Sequence, residues 1–256
     1  MSSECVQFAP TIVVADCERP YFEELLPSVC AAVHAHKITN SVFNVNTAQV
    51  MLVGFMPLQE MVHALQQQRF SVSEKKVIFL NTEQLSRSAK LEELADMLIK
   101  YFEVSQQFLD VWDYSKANIA LLLEHATIKQ NRWLCWMFFY MPFRPVDEDV
   151  ASLKHLLQVT PKVFDFAILG SLSERRLNVA NKFKNMGFSV NVVAGVFGRE
   201  RDVAIASCKI LLNIHYADDY LIFEQARCNR WIAAGMPVMS EPSKDSGEEH
   251  LLLLKL

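Results

Sequence analysis

Three apolar runs in the C-terminal half, at 163–169, 189–194 and 210–216, each end in a group of polar residues. The first leads into Gly170-Ser171-Leu172-Ser173-Glu174-Arg175-Arg176, and the second into Gly195-Val196-Phe197-Gly198-Arg199-Glu200-Arg201-Asp202. The third reaches Ala217-Asp218-Asp219-Tyr220 and continues into Ile222-Phe223-Glu224-Gln225-Ala226-Arg227. Apolar strand, turn, then helix is the order of a parallel α/β sheet, whose neighbouring strands need long crossovers. Such sheets bind ligands beyond the carboxyl ends of their strands. Six of the seven glycines lie at or beyond residue 170, where glycine supplies positive φ and lets backbone approach a ligand. Functional weight therefore falls in this half, with a nucleotide as the expected ligand.

The rest of the chain sets bounds. At 256 residues it has room for one large α/β domain or two of about half that size. A net charge of −4 argues against non-specific nucleic-acid binding, which calls for a basic excess. The start lacks the basic and apolar pattern of a secretory signal. The longest apolar run, 133–143, is about half a membrane span. Six cysteines without a C-x-x-C pair fit reduced thiols in a cytoplasmic setting. His34 and His36 stand two apart on a helix-like stretch, point to different faces, and make a poor metal site.

The N-terminal half also alternates. Strands are expected at 11–15, 49–55, 76–80, 108–112 and 133–140, with helices over 21–36, from Pro57, over 91–104 and over 117–125. The aromatic residues of 133–140 read better as a strand buried between helices than as a sugar-stacking platform. Two prolines and three acidic residues at 142–149 suggest a linker. The expected organisation is an N-terminal α/β domain at 1–141 and a C-terminal one at 150–256. The latter carries helices at 150–158, 175–186, 199–206 and 222–234.

Several stretches resemble the GT-B glycosyltransferases, above all compact sugar transferases of bacterial surface-polysaccharide clusters and large DNA viruses. They are Phe197-Gly-Arg-Glu-Arg-Asp202, Lys209-Ile-Leu-Leu-Asn-Ile-His-Tyr216, Ile222-Phe-Glu-Gln-Ala-Arg227 and Gly235-Met-Pro-Val-Met-Ser-Glu241. Phe79-Leu-Asn-Thr-Glu-Gln-Leu85 and Val111-Trp-Asp-Tyr-Ser-Lys-Ala-Asn-Ile119 resemble the acceptor-side half of the same group. The resemblance implies two Rossmann-like doubly wound domains facing across a cleft. It implies a nucleotide-sugar donor, a glycan or other hydroxyl acceptor, and no metal or other cofactor. One departure is that many such enzymes carry two glutamates eight positions apart. Here Glu224 has Tyr216 eight before it and Ile232 eight after. A second is the apolar end at 251–256, where the family commonly has a further helix. Both leave open a non-catalytic binding or regulatory protein on the same fold.

The candidate donor residues each have a plainer alternative. Glu224 suits the two hydroxyls of a ribose, or it complements a helix dipole. Arg227 suits a diphosphate, or it pairs with Glu224. Gly170 and Ser171 open an anion-binding helix start at which Arg175 or Arg176 would neutralise a leaving diphosphate, or they form an ordinary turn. Gly195, Val196 and Phe197 would lie under a nucleobase, with Arg199 and Arg201 solvated beside them. His215 ends its strand toward the sugar diphosphate, and Phe223 completes the donor set. In the other half, Glu83 and Asp113 follow strand ends and are the candidate bases for the acceptor hydroxyl, while Asp113 or Ser115 equally suits a helix cap. No D-x-D lies beside this site: Asp147-Glu148-Asp149 falls in the linker, and Asp218-Asp219 lacks the spacing.

Overall fold

Buried on both faces, the strands of a parallel sheet need near-continuous apolar runs, and the chain supplies them. The computed structural model describes residues 9–86 and 88–245; the apolar end at 251–256 lies outside them. The chain divides into two units, one comprising the chain up to Phe22 with Val29–Pro142, the other Glu23–Ser28 with the chain from Phe143.

The first unit holds β1 (Thr11–Val13), β2 (Lys37–Thr39), β3 (Gln49–Val53), β4 (Lys76–Asn81), β5 (Asp110–Asp113) and β6 (Phe138–Tyr140). They form a sheet in the order β2-β1-β3-β4-β5-β6, parallel throughout. Val50–Val53 and Val77–Leu80 are buried along the sheet centre, and Val50, Leu52, Val77 and Phe79 pack on the helices Phe55–Gln66 and Ser88–Ser105. The second unit holds β7 (Phe164–Leu169), β8 (Val190–Val193), β9 (Cys208–Asn213) and β10 (Val238–Ser240), in the parallel order β10-β9-β7-β8. Both sheets therefore grow outward in two directions from their first strand. The chain winds from β1 to β2 on one side and to β3 on the other, and from β7 to β8 and then back to β9. The gap beside that first strand is where a doubly wound sheet opens a crevice for ligand.

Several expectations need correction. Of the aromatic run only Phe138–Tyr140 is strand; Arg132–Met137 is a 3₁₀ helix. Trp136 is 86% exposed, so the run is not a strand buried between helices. The acidic residues assigned to a linker open a helix, Asp147–Val159, with Asp147, Glu148 and Asp149 all in its first turn, where negative charge complements the helix dipole. The stretch 21–36 forms two helices, Arg19–Phe22 and Leu25–Val33. Pro27 fits the first turn of the second, where a missing N–H costs nothing. The short strand Lys37–Thr39 was not foreseen.

Arg201 was expected in solvent and is instead buried. Its guanidinium pairs with Glu24 and lies 3.4 Å from Asp202. Arg230 beside it is held by Asp149 at 2.6 Å and 2.9 Å and by Asp202 at 2.9 Å and 3.1 Å. Burying an arginine is tolerable only with such pairing. Among the described residues no helix is long and apolar enough to cross a membrane.

Candidate functional site

At the crevice between β7 and β9, β7 ends at Leu169 and the chain turns at Gly170 with φ 115°. Ser173 then caps the helix Glu174–Asn185, its hydroxyl accepting from the Arg176 N–H at 3.2 Å. This places Arg176 in the first turn of that helix, where it is 1% exposed. Its guanidinium donates to the Ser171 carbonyl at 2.8 Å, to the Ile214 carbonyl at 2.8 Å and to Glu224 Oε1 at 3.1 Å. One side chain thus ties the end of β7, the end of β9 and the start of the helix Gln225–Ala233.

Arg227 joins it from one turn into that last helix and pairs with Glu224 Oε2. Both guanidiniums rest on Gly170. A Cβ there would stand 2.7 Å from Arg227 Nη2 and 2.9 Å from Arg176 Nη1, so glycine is required by space as well as by φ. Two cations therefore share one carboxylate and leave a positive surplus. Burial, then the neighbouring Arg227, brings the Arg176 pKa down to about 10. Further positive charge is unwelcome at this point and an anion is welcome. Glu224 stands at the helix N-cap but makes no capping bond with its side chain. It serves the arginines instead, and each of its oxygens keeps lone pairs free for a hydroxyl.

Arg175 is differently placed. It makes a fork to Glu241 at 2.6 Å and 2.7 Å and a bond to Asp218 at 2.7 Å, and these bonds, Glu241 first, raise its pKa. Glu241 also accepts the His215 backbone N–H at 2.7 Å. Burial works against its charge, but Arg175 and that N–H outweigh it and lower its pKa. With two carboxylates on one guanidinium, Arg175 has no surplus charge to offer a phosphate. Nothing near Glu241 in the sequence points to this role, because its partner Arg175 is remote.

His215 is buried with its Nε2 3.3 Å from the Pro242 carbonyl, and its Nδ1 is enclosed without a hydrogen-bond partner. Phe223 is buried and packs with Cys228. Gly195 is exposed at φ 67° beyond β8, and Val196 packs on the core beneath it. Phe197 stands at the N-cap of the helix Gly198–Ala206. Gly170, Gly195, His215 and Glu241 thus all lie on the carboxyl edge of one sheet. Tyr216 is added to the site by the structure: its ring lies under the Arg176 guanidinium at 5.7 Å and tilts against Tyr220 at 5.7 Å.

The two candidate bases belong to the other unit and sit close together. Asp113 is completely buried. Its carboxylate accepts from Asn81 at 2.6 Å, the Ser115 N–H at 2.8 Å and Asn118 at 3.1 Å. Asn81 and Asn118 also hold the Glu83 carbonyl, each at 3.0 Å. Asp113 therefore fixes the ends of β4 and β5 and does not face solvent as the assignment of a base requires. Capping falls to Ser115, whose hydroxyl accepts from the Ala117 N–H at 3.2 Å. Glu83 is partly exposed in the same turn. Among the described residues no group of three or more His, Cys, Asp or Glu is arranged to hold a metal ion.

No protein family profile matches the chain. By sequence it is similar to proteins of Acanthamoeba polyphaga mimivirus described as uncharacterized. One is 40% identical over 167 residues, 65% of this chain and 20% of that protein. Another is 37% identical over 170 residues, 65% of this chain and 49% of that protein. The chain thus spans half or less of these relatives' length. In structure it is similar to HepE of Anabaena, solved in complex with UDP and glucose, with a TM-score of 0.50 and 8% identity. The match covers 96% of this chain and 88% of HepE. The likeness shows the fold: α/β, GT-B-like, with two Rossmann-like doubly wound units.

Proposed function

We propose that the protein is a glycosyltransferase that takes a sugar from a nucleotide-sugar donor and passes it to a glycan or other hydroxyl acceptor. The observation that carries this reading is the pair Arg176 and Arg227, sharing Glu224 and resting on Gly170 at the crevice of the second sheet. Breaking a glycosidic bond to a diphosphate leaves negative charge on the departing oxygens. A fixed guanidinium pair beside a helix start stabilises that charge where it develops. Arg227, the more exposed of the two, would touch the diphosphate, and buried Arg176 would hold Arg227, Glu224 and the turn in place. Glu224 would accept the ribose hydroxyls, and Gly195, Val196 and Phe197 would underlie the base. The bound UDP in the HepE structure makes UDP-sugars the first donors to try.

Because arginines supply the charge, donor binding is expected to need no divalent metal. The test is calorimetry with UDP, followed by a turnover screen of UDP-, GDP-, dTDP- and CMP-sugars, each with and without chelator. UDP binding that survives chelator and collapses in Arg227→Met supports the site. Binding untouched by that substitution removes it. Binding without turnover of any sugar would favour the non-catalytic alternative.

A further inference from the structure

The first sheet has its own crevice, between β1 and β3, and it holds a carboxyl to which the proposed donor site gives no role. Glu18 lies in the turn after β1, partly exposed, with Oε2 enclosed and without a hydrogen-bond partner. Gly54 follows β3 at φ 83° and leaves room for it. A Cβ on Gly54 would stand 2.8 Å from that oxygen and 3.1 Å from the Phe22 ring, so a side chain there would displace the carboxyl, and the positive φ would strain it. The ends of two neighbouring parallel strands thus converge on one carboxylate oxygen, at the place where a doubly wound sheet receives ligand.

The groups facing Glu18 come from three elements. The Met56 backbone N–H at the start of the helix Phe55–Gln66 favours its charged form. Glu83, in the turn after β4, opposes that form, and Lys90 of the helix Ser88–Ser105 favours it. Lys90 is engaged elsewhere, over the Phe55 ring at 4.7 Å and on Glu93 at 3.0 Å. Cys17, beside Glu18 in the chain, directs its thiol to the Met56 sulfur at 3.2 Å. Burial is the largest influence, and the pKa rises to about 7, where a carboxyl exchanges protons most usefully near neutrality.

We propose that Glu18 is the proton acceptor for the hydroxyl that receives the sugar. The assignment rests on the transferase reading. The acceptor O–H bond breaks, and its proton passes to a Glu18 carboxylate oxygen. The acceptor oxygen uses its electron pair to bond the anomeric carbon, and the bond from that carbon to the diphosphate oxygen breaks. That second pair leaves with the diphosphate. Attack opposite the leaving group inverts the anomeric centre. Glu18 takes the role that Asp113, completely buried and held by Asn81, Ser115 and Asn118, does not fill.

The experiment is Glu18→Gln in the full chain, assayed with the sugar nucleotide that the screen turns over. Wild-type kcat is expected to fall as pH drops through about 7. The variant should lose about a hundredfold or more in kcat and show no such limb, with UDP affinity by calorimetry unchanged. Isotope-edited NMR of the ligand-free chain should show the Glu18 carboxyl titrating near neutrality. A variant that transfers at the wild-type rate with the wild-type limb overturns the assignment and leaves the transferase reading standing. So does titration of Glu18 in the ordinary carboxylate range. A wild-type protein that transfers no sugar overturns both.

Discussion

The two sheets open the same kind of crevice beside their first strand, yet the residues that fill them are opposite in charge. Gly170 and Gly54 border these crevices from opposite sides, Gly170 after the first strand of its sheet and Gly54 after the strand beside the first, and each is at positive φ and pressed by a functional side chain. Two guanidiniums press on Gly170, and a carboxyl presses on Gly54. The fold supplies a location and a backbone geometry, and the side chains decide what is done there. In the reading proposed here the cationic crevice receives a leaving anion and the carboxyl crevice receives a proton.

The comparison can be broken at five points. The largest effect is expected at Asp113. Asp113→Ala leaves the Asn81 and Asn118 amides without their acceptor and should lower stability by about 3 kcal/mol in urea unfolding. Loss of turnover with full stability would instead return Asp113 to catalysis. Next comes Gly170→Ala, in which positive φ and the displaced guanidiniums act together. It should cost about 1–3 kcal/mol of stability and lose UDP binding by calorimetry. Gly54→Ala should cost a similar amount of stability yet leave UDP affinity intact, because the carboxyl crevice has no part in holding the nucleotide. Equal loss of UDP binding in both variants would abolish the distinction between the two crevices.

Substituting Arg227 by Met should weaken UDP binding by about 1.5–3 kcal/mol, the range for a hydrogen bond to a charged group, with the fold kept. The smallest effect belongs to Glu18 in the absence of ligand. Its folded pKa is raised, so its stabilising contribution is complete below the ordinary carboxyl pKa and is lost as pH rises through about 7. Glu18→Gln should therefore match wild type only below the ordinary carboxyl pKa and gain on it as pH rises toward 7. It should be more stable above neutrality by on the order of 1 kcal/mol, solvent access to the carboxyl reducing the full effect. A difference that is the same at every pH would mean that the carboxyl is not perturbed by its surroundings.

What could be read from the residues alone follows from the range of the forces. The core strands β3, β4, β7 and β9 announce themselves because burial on both faces demands unbroken apolar runs. Gly170 with Arg176, and Glu224 with Arg227, stood out as two local groups because each lies at one strand-to-helix turn; that the two groups meet could not be read, since they are far apart in sequence. The run 132–140 misled because aromatic residues without a clear period fit a strand and a tight helix equally. Arg201 misled for a different reason: Glu24, which pairs with it in the interior, is far from it in sequence. Glu18 gave no local signal, since what sets it apart is an enclosure built by Gly54, Glu83 and Lys90.

The network around Arg201 and Arg230 bears on how the chain is made. Glu24 is synthesised well over a hundred residues before the two arginines it serves. The second unit therefore cannot finish its interior from the contiguous stretch that follows Pro142. A fragment starting at Phe143 would retain both arginines and lose one of their carboxylates, and an uncompensated buried charge is among the costlier defects a fold can carry. During synthesis the early segment Glu23–Ser28 must stay available until the chain has been made through Arg230. The second unit is thus built from residues made before and after the whole of the intervening stretch Val29–Pro142.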